Sequence, residues 1–171
     1  HAAREHGEQE IVSNTIEGGM HRYTYADAEK RTMQLANTLR QLGVKAGDRI
    51  GTLAWNGYRH FEIYYATSGI GLVCHTINPR LPPDQISYII NHAKDQYLFV
   101  DLNLFQLVEK LGGQLRTLKG VVVMTSQDHM PEVTELDKIV PVHCYETSIA
   151  KQSDKIEWPE FDENTASSLC Y

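Results

Sequence analysis

The feature that most constrains this fold is the regular alternation of short apolar runs with segments of helical periodicity. The runs lie near residues 49–54, 72–77, 97–101 and 120–124, and helix-type segments separate several of them. Strands that alternate with helices are typical of a mostly parallel sheet with helices on both faces. The run Gly120–Met124 is nearly all apolar, as expected of a strand covered on both sides. The sequence therefore predicts an α/β fold.

A β-hairpin and a capped helix are predicted ahead of these units. The β-type segments Ile11–Ser13 and His21–Tyr23 flank a turn that contains two glycines. Thr24 followed by Asp27 resembles a capping box, and Gly43 is suited to the end of the helix that follows. That helix has one apolar or small-residue stripe, made of Ala28, Thr32, Leu35, Leu39 and Leu42.

Three further helices are indicated by their starts, stripes and ends. One spans about residues 58–70 and carries small residues near its end that favour close approach to a sheet: Ala66, Ser68, Gly69 and Gly71. Its aromatic residues, Phe61, Tyr64 and Tyr65, are interpreted as core packing. A second begins at Pro83, where the missing N–H has no cost, and its stripe comprises Ile86, Ile89, Ile90 and Ala93. A third, short helix contains Leu104, Leu107, Val108 and Leu111.

In the C-terminal part of the chain the sequence predicts two β-type runs with a loop between them. Residues 140–145 are interpreted as a strand, residues 151–164 as a polar loop, and a last β-type run begins near Ala166.

Composition excludes several functional classes. The 171 residues suffice for one core, and the formal net charge of −6 argues against a nucleic-acid or anionic-membrane surface. No apolar run approaches the roughly 20 residues of a membrane helix. Cys74, Cys144 and Cys170 lie far apart, which favours reduced thiols, with Cys74 and Cys144 buried. We expect a cytoplasmic protein, with a peripheral position at membranes as the alternative.

No catalytic or metal-binding motif is present. The phosphate-binding GxxxxGK[ST] and GxGxxG patterns and the GxSxG elbow are missing. His60 and Glu62 are two positions apart on a predicted helix and point to different faces. No paired-histidine spacing exists, so a metal site is not expected. His75 is interpreted as a packed, hydrogen-bonded histidine, and structural or surface positions are expected for His21, His92, His129 and His143.

Two loop residues follow predicted strands, at the edge where open α/β sheets bind ligands. Asp101 ends one strand, and a local role as a cap or turn former is favoured over a ligand-binding role. Arg80 follows another strand, and pairing with a nearby carboxylate is favoured over ligand binding. Asn78, before Pro79, is interpreted as a turn former. From the residues alone, the chain is an α/β domain with no identifiable active site.

Several segments taken in order resemble the N-terminal part of the AMP-forming fatty-acyl-CoA synthetases, members of the adenylate-forming superfamily. The similarity is clearest from about residue 10 to 123. The segments are Glu10-Ile-Val-Ser, His21-Arg-Tyr-Thr-Tyr25, Leu42-Gly-Val-Lys-Ala-Gly-Asp-Arg49, Trp55-Asn56, Arg59-His-Phe-Glu62, His75-Thr-Ile-Asn-Pro-Arg-Leu81, Ile89-Ile-Asn-His-Ala93 and Phe99-Val-Asp101.

This resemblance implies that residues 1–171 are an incomplete N-terminal domain that ends just before the family's phosphate-binding loop. Tyr171 would then end the strand that leads into that loop. No residue of the fragment is expected to be catalytic or to bind metal. Arg80 would lie at a subdomain or subunit boundary or, as the sharper alternative, contact coenzyme A phosphates.

The resemblance also implies an activity for the longer protein. It would use ATP, Mg²⁺ and coenzyme A to convert a fatty acid to its thioester, and the fragment alone would be inactive and bind none of them tightly. The alternatives are a relative that acts on an aromatic or other carboxylate, and a non-enzymatic α/β interaction module. A homodimer through this region and no nucleic-acid partner are expected. The truncated sheet predicts self-association of the fragment.

Overall fold

The computed structural model describes residues 1–132 and 135–171. Its helices are α1 (Ala2–His6), α2 (Tyr25–Gln41), α3 (Tyr58–Gly69), α4 (Pro83–Ala93), α5 (Phe105–Leu111) and α6 (Tyr145–Ala150). Its strands are β1 (Glu10–Asn14), β2 (Met20–Thr24), β3 (Arg49–Leu53), β4 (Val73–Ile77), β5 (Tyr97–Asp101), β6 (Gly120–Met124), β7 (Val142–Cys144) and β8 (Ser168–Cys170).

Within the described residues, β3 to β8 form a six-stranded sheet in the order β7-β6-β5-β3-β4-β8. Every neighbouring pair in it is parallel. Alternate side chains of each strand point to opposite faces. On β5, Phe99 packs toward α2, α3 and α6, whereas Leu98 and Val100 pack toward α4 and α5. The prediction of a parallel sheet with helices on both faces is confirmed.

The predicted hairpin is formed by β1 and β2, with Ile11 opposite Tyr23. Its turn uses Gly18 and Gly19, whose φ angles are +100° and +87°. Such angles favour glycine because a Cβ would collide with the backbone. Tyr23 packs with Ala28 of α2 and Tyr58 of α3, so the hairpin is attached to these two helices.

The capping box of α2 is confirmed. The N–H of Asp27 donates to Thr24 Oγ1 over 3.2 Å, and the N–H of Thr24 donates to Asp27 Oδ2 over 3.1 Å. The predicted stripe faces the core, with Leu42 partly buried at its end. The stripe of α4 is buried as predicted, and Pro83 lies in its first turn.

Two predictions of local structure are wrong, and a third holds only in part. The strand predicted over residues 140–145 is shorter, because Tyr145 already begins α6, a helix that the sequence pattern does not show. Tyr64 and Tyr65 are 40% and 58% exposed and do not pack in the core. Helix α3 approaches the sheet through Ala66, as predicted, but Gly69 instead contacts the loop 151–164, since a Cβ there would lie 2.5 Å from the ring of Trp158.

The loop itself and the buried state of Cys74 and Cys144 are as predicted. In the described part of the chain, no helix is long and apolar enough to cross a membrane.

Candidate functional site

The residues at the carboxyl ends of β3, β4, β5 and β8 lie on the same side of the parallel sheet, where these strands end. We term this side the carboxyl edge. Trp55, Arg80 and Tyr171 follow β3, β4 and β8, and Asp101 is the last residue of β5. Ligands of open α/β sheets bind outside the carboxyl ends of the strands. The carboxyl edge is therefore the candidate functional site.

Arg80 is held above the indole of Trp55. Its guanidinium carbon lies 5.5 Å from the ring centroid, within the range of a cation–π contact. The N–H of Arg80 donates to Asn78 Oδ1 over 3.0 Å, which confirms Asn78 as a turn former. No carboxylate in the described part of the chain pairs with Arg80, so the predicted local ion pair is wrong. The exposed guanidinium can bind an anion.

Asp101 fixes the backbone of the loop that carries Trp55. Its Oδ2 accepts the N–H of Trp55 over 2.7 Å, and its side chain is buried. It does not cap the 3₁₀ turn that follows it, so the predicted cap is wrong. Burial raises the pKa of Asp101 to about 6, although the N–H of Trp55 acts in the opposite direction. Asp101 thus positions the loop through a partner 46 residues away.

Tyr171 lies beyond the short strand β8. The strand pairs with β4 through three positions, with His75 opposite Leu169. The Tyr171 hydroxyl lies 2.5 Å from Nδ1 of His92, and its ring centroid lies 5.3 Å from that of His75. The last residue of the chain is therefore held by side chains of β4 and α4.

His75 is packed and hydrogen-bonded, as predicted. Its Nδ1 lies 2.8 Å from Oδ2 of Asp95, and both side chains are fully buried. Burial raises the pKa of Asp95, although the hydrogen bond and charge of His75 act to lower it. Gly51 makes room for this carboxylate, since a Cβ there would lie 2.7 Å from Asp95 Oδ2.

Sequence reasoning missed Asp95 as the partner of His75. The signal available was a glycine within an apolar strand, which often marks a close approach of another group.

A largely buried ionic network lies between the hairpin and helices α2, α3 and α6. Arg31 donates to Glu62 over 2.7 Å and to Glu146 over 2.9 Å. Arg59 donates to Glu17 and Glu146, each over 2.8 Å. These partners are 31 to 115 residues apart, so no local pattern could reveal them.

The network has opposite effects on its carboxylates. Burial raises the pKa of Glu62 despite the charge of Arg31. Burial also acts to raise the pKa of Glu146, but hydrogen bonds and charge from Arg31 and Arg59 outweigh it and lower the pKa. Because the carboxylates are paired with guanidinium groups, we assign the network a structural role. No group of three or more potential metal ligands occurs among the described residues.

The fold and its carboxyl edge define an open, parallel α/β domain of the kind that binds ligands at the carboxyl ends of its strands. The family model described as "AMP-binding enzyme" matches residues 1–171, and the chain belongs to this family.

Its curated relatives include acyl-CoA ligases that are named for different substrates. It is 47% identical to a 3-methylmercaptopropionyl-CoA ligase of Ruegeria lacuscaerulensis and 41% identical to a medium-chain-fatty-acid–CoA ligase of Ectopseudomonas oleovorans. Each match covers 100% of this chain and 31% of the relative. A long-chain-fatty-acid–CoA ligase of Thermus thermophilus is 42% identical over 93% of this chain and 28% of the relative. The chain thus spans about a third of the length of these proteins.

Solved structures support the fold. A coronafacic acid ligase from Pectobacterium brasiliense superposes with a TM-score of 0.80 at 21% identity, covering 99% of this chain and 31% of that one. An anthranilate CoA ligase in complex with anthranoyl-AMP superposes with a TM-score of 0.75 at 20% identity, covering 91% and 27%.

Proposed function

We propose that this chain is part of an ATP-dependent fatty-acid–CoA ligase. The observation that carries the proposal is the match of the whole chain to the AMP-binding enzyme family, with medium- and long-chain fatty-acid–CoA ligases among its relatives. A fatty carboxylate attacks the α-phosphate of ATP and releases pyrophosphate. The thiol of coenzyme A then attacks the acyl-adenylate, releases AMP and forms the thioester.

A second carboxylate class is favoured by one specific observation. The 47% identical relative is named for 3-methylmercaptopropionyl-CoA, whose acyl group is short and contains sulfur. An aromatic substrate has weaker support, from a trans-cinnamate:CoA ligase of Petunia hybrida at 30% identity over 81% of this chain. Medium- and long-chain fatty acids are therefore tested beside these two acids.

Residues 1–171 act as scaffold in this proposal, as an incomplete N-terminal domain. The segment after Tyr171 supplies the phosphate-binding loop, and catalytic and magnesium-binding residues lie outside this chain. The longer protein is cytoplasmic and forms a homodimer through this region.

Arg80 is the residue of this chain that we assign to coenzyme A phosphates. Its support is an exposed guanidinium held over Trp55, without a carboxylate partner among the described residues. Arginine suits phosphate because its planar fork donates two parallel hydrogen bonds. A boundary between subdomains or subunits is the competing role.

The proposed activity is tested with the reading frame continued past Tyr171 to its natural stop. Pyrophosphate release is measured with ATP, Mg²⁺ and coenzyme A for fatty acids of graded length, 3-(methylthio)propionate and cinnamate. Activity of the longer protein, and none of the 171-residue chain, is expected. If no fatty acid reacts but another acid does, the fatty-acid assignment is wrong; if none reacts, the ligase proposal fails.

The role of Arg80 is tested by Arg80→Ala in the longer protein. Loss of one charged hydrogen bond, about 1.5 to 3 kcal/mol, predicts a KM for coenzyme A raised roughly 10-fold to 100-fold. The matched control is Arg116→Ala, another exposed arginine, which lies before β6 at the opposite edge. An unchanged KM for coenzyme A would exclude the phosphate contact.

A further inference from the structure

Four side chains connect the interior of the sheet with the end of β8. Asp95 lies just before β5, His75 lies in the middle of β4, Tyr171 follows β8, and His92 lies in the last turn of α4. We term these four residues the β8 anchor. Three contacts join them in sequence: the Asp95–His75 hydrogen bond, the His75–Tyr171 ring contact and the Tyr171–His92 hydrogen bond.

The inner half of the β8 anchor is polar in an apolar setting. The side chains of His75 and Asp95 are fully buried next to a face formed by aliphatic residues such as Ile90 and Leu98. A buried polar pair adds little net stability, since replacing it with apolar side chains of similar size often leaves the stability unchanged or higher. His75 Nε2 has no partner among the described residues, which adds a desolvation cost. The pair is therefore poorly explained by stability alone.

The space for this pair is built into the neighbouring strand. A side chain at Gly51 would place its Cβ 2.7 Å from Asp95 Oδ2 and 3.1 Å from its Cγ. Gly51 pairs with His75 in the register of β3 and β4, so the glycine, the histidine and the carboxylate meet at one level of the sheet. The geometry fixes the orientation of the imidazole.

The outer half of the β8 anchor compensates for a weak strand. Strand β8 has three residues and lies at one end of the sheet order in the described chain. Its backbone pairing with β4 is therefore short. The ring of Tyr171 contacts His75, its hydroxyl bonds His92, and His92 in turn stacks on Tyr88 at 5.3 Å.

We infer that Asp95, His75 and His92 are positioning residues that fix Tyr171, and with it the first residues of the segment after β8. This inference rests on the proposed function, in which that segment binds the phosphates of ATP. Asp95 orients His75, His75 and His92 hold the ring and hydroxyl of Tyr171, and the backbone leaves β8 in one direction. Misplacement of a positioned group by about 1 Å is sufficient to reduce the rate about 100-fold.

The test uses the longer protein with Tyr171→Phe, which keeps the ring and removes the hydrogen bond to His92. The matched control is Tyr88→Phe, which keeps the other ring contact of His92 and leaves Tyr171 intact. Asp95→Ala and Asp95→Asn form a second pair, since asparagine retains an oxygen that accepts from His75. For each variant, kcat, the KM values for ATP, coenzyme A and the acid, and the hydrogen exchange of the β8 amides are measured.

Tyr171→Phe is expected to raise the KM for ATP about twofold to tenfold, as the loss of one net hydrogen bond implies. The KM values for coenzyme A and the acid stay at the parent values, and the β8 amides exchange faster. Tyr88→Phe matches the parent, and Asp95→Asn recovers most of the ATP affinity lost in Asp95→Ala. These results support the β8 anchor.

Three outcomes would overturn the inference: an unchanged KM for ATP in Tyr171→Phe, an equal change in all three KM values, or an equal effect of Tyr88→Phe. If the parent forms no acyl-CoA, the proposed function fails by itself and hydrogen exchange decides. If the β8 amides exchange faster in Tyr171→Phe but not in Tyr88→Phe, the anchoring role is still supported. Unchanged exchange in Tyr171→Phe refutes it.

Discussion

Replacement of Arg31 by methionine is expected to destabilise this protein by about 3 to 5 kcal/mol. Arg31 bonds Glu62 at 2.7 Å and Glu146 at 2.9 Å, and the Glu62 side chain is fully buried. Two unit charges about 4 Å apart attract by about 4 kcal/mol at an effective dielectric constant near 20. Removing one partner of a buried pair leaves an uncompensated charge and costs about 3 to 5 kcal/mol. For a chain of 171 residues, this corresponds to a melting temperature lower by roughly 6 to 20 °C.

The pH dependence distinguishes this mechanism from a simple loss of packing. Burial already raises the pKa of Glu62 in the folded state, and removal of Arg31 raises it further. A raised folded-state pKa means that the folded protein binds the extra proton, so stability falls as the pH rises toward that pKa. The deficit of Arg31→Met is therefore expected to be smallest near pH 4.5 and to grow toward pH 8. Urea unfolding of parent and variant across this range measures it.

Two controls make the result decisive. Arg31→Met combined with Glu62→Gln removes the buried unpaired charge and is expected to recover at least half of the loss. Arg22→Met breaks the ion pair of Arg22 with Glu10, whose side chains are 53% and 49% exposed, and is expected to cost less than about 1 kcal/mol. A loss below about 1 kcal/mol for Arg31→Met, or a double variant as unstable as the single one, would refute the reasoning.

Three further predictions concern Asp101, Gly69 and the outer edge of β8. Asp101→Asn keeps an acceptor for the N–H of Trp55 but removes a carboxyl group whose pKa is raised to about 6. The stability of the variant relative to the parent should therefore improve by up to about 3 kcal/mol from pH 4 to pH 8, as measured by urea unfolding. A pH-independent difference would contradict this. Gly69→Ala is expected to displace the ring of Trp158, seen as a shift in tryptophan fluorescence, whereas Gly113→Ala, with open space around its Cβ, is the silent control. The free edge of β8 predicts self-association of the 171-residue chain, and light scattering that shows a monomer at every concentration would oppose it.

The elements that sequence reasoning found are those specified by local chemistry. The capping box at Thr24, the first-turn proline of α4 and the glycine turn of the hairpin each act within a few residues. Apolar periodicity likewise predicted the buried faces of α2 and α4. Such features depend on backbone geometry and nearest neighbours, so they can be predicted without knowledge of the fold.

The errors fall where distant residues decide the outcome. Tyr145 begins a helix, and its hydroxyl reaches Glu62, 83 residues earlier, over 2.6 Å. Gly69 meets Trp158 across a comparable separation. The sequence predicts a local cap at Asp101 because aspartate is common at helix starts, yet its Oδ2 accepts the N–H of Trp55. In each case the actual contact is with a partner that lies far away in the sequence.

The sequence by itself determined the α/β class, the positions of most strands and of helices α2 to α5, and a family resemblance that the comparisons confirmed. Only the tertiary structure decided the strand order, in which β3 lies between β5 and β4. It alone also joined His75 to Asp95 and held Arg80 over Trp55. The physical reason is that periodicity and turn formation depend on residues that are close together in the sequence. Strand pairing and buried polar contacts form between segments far apart in the chain, and their partners become defined only when the sheet assembles.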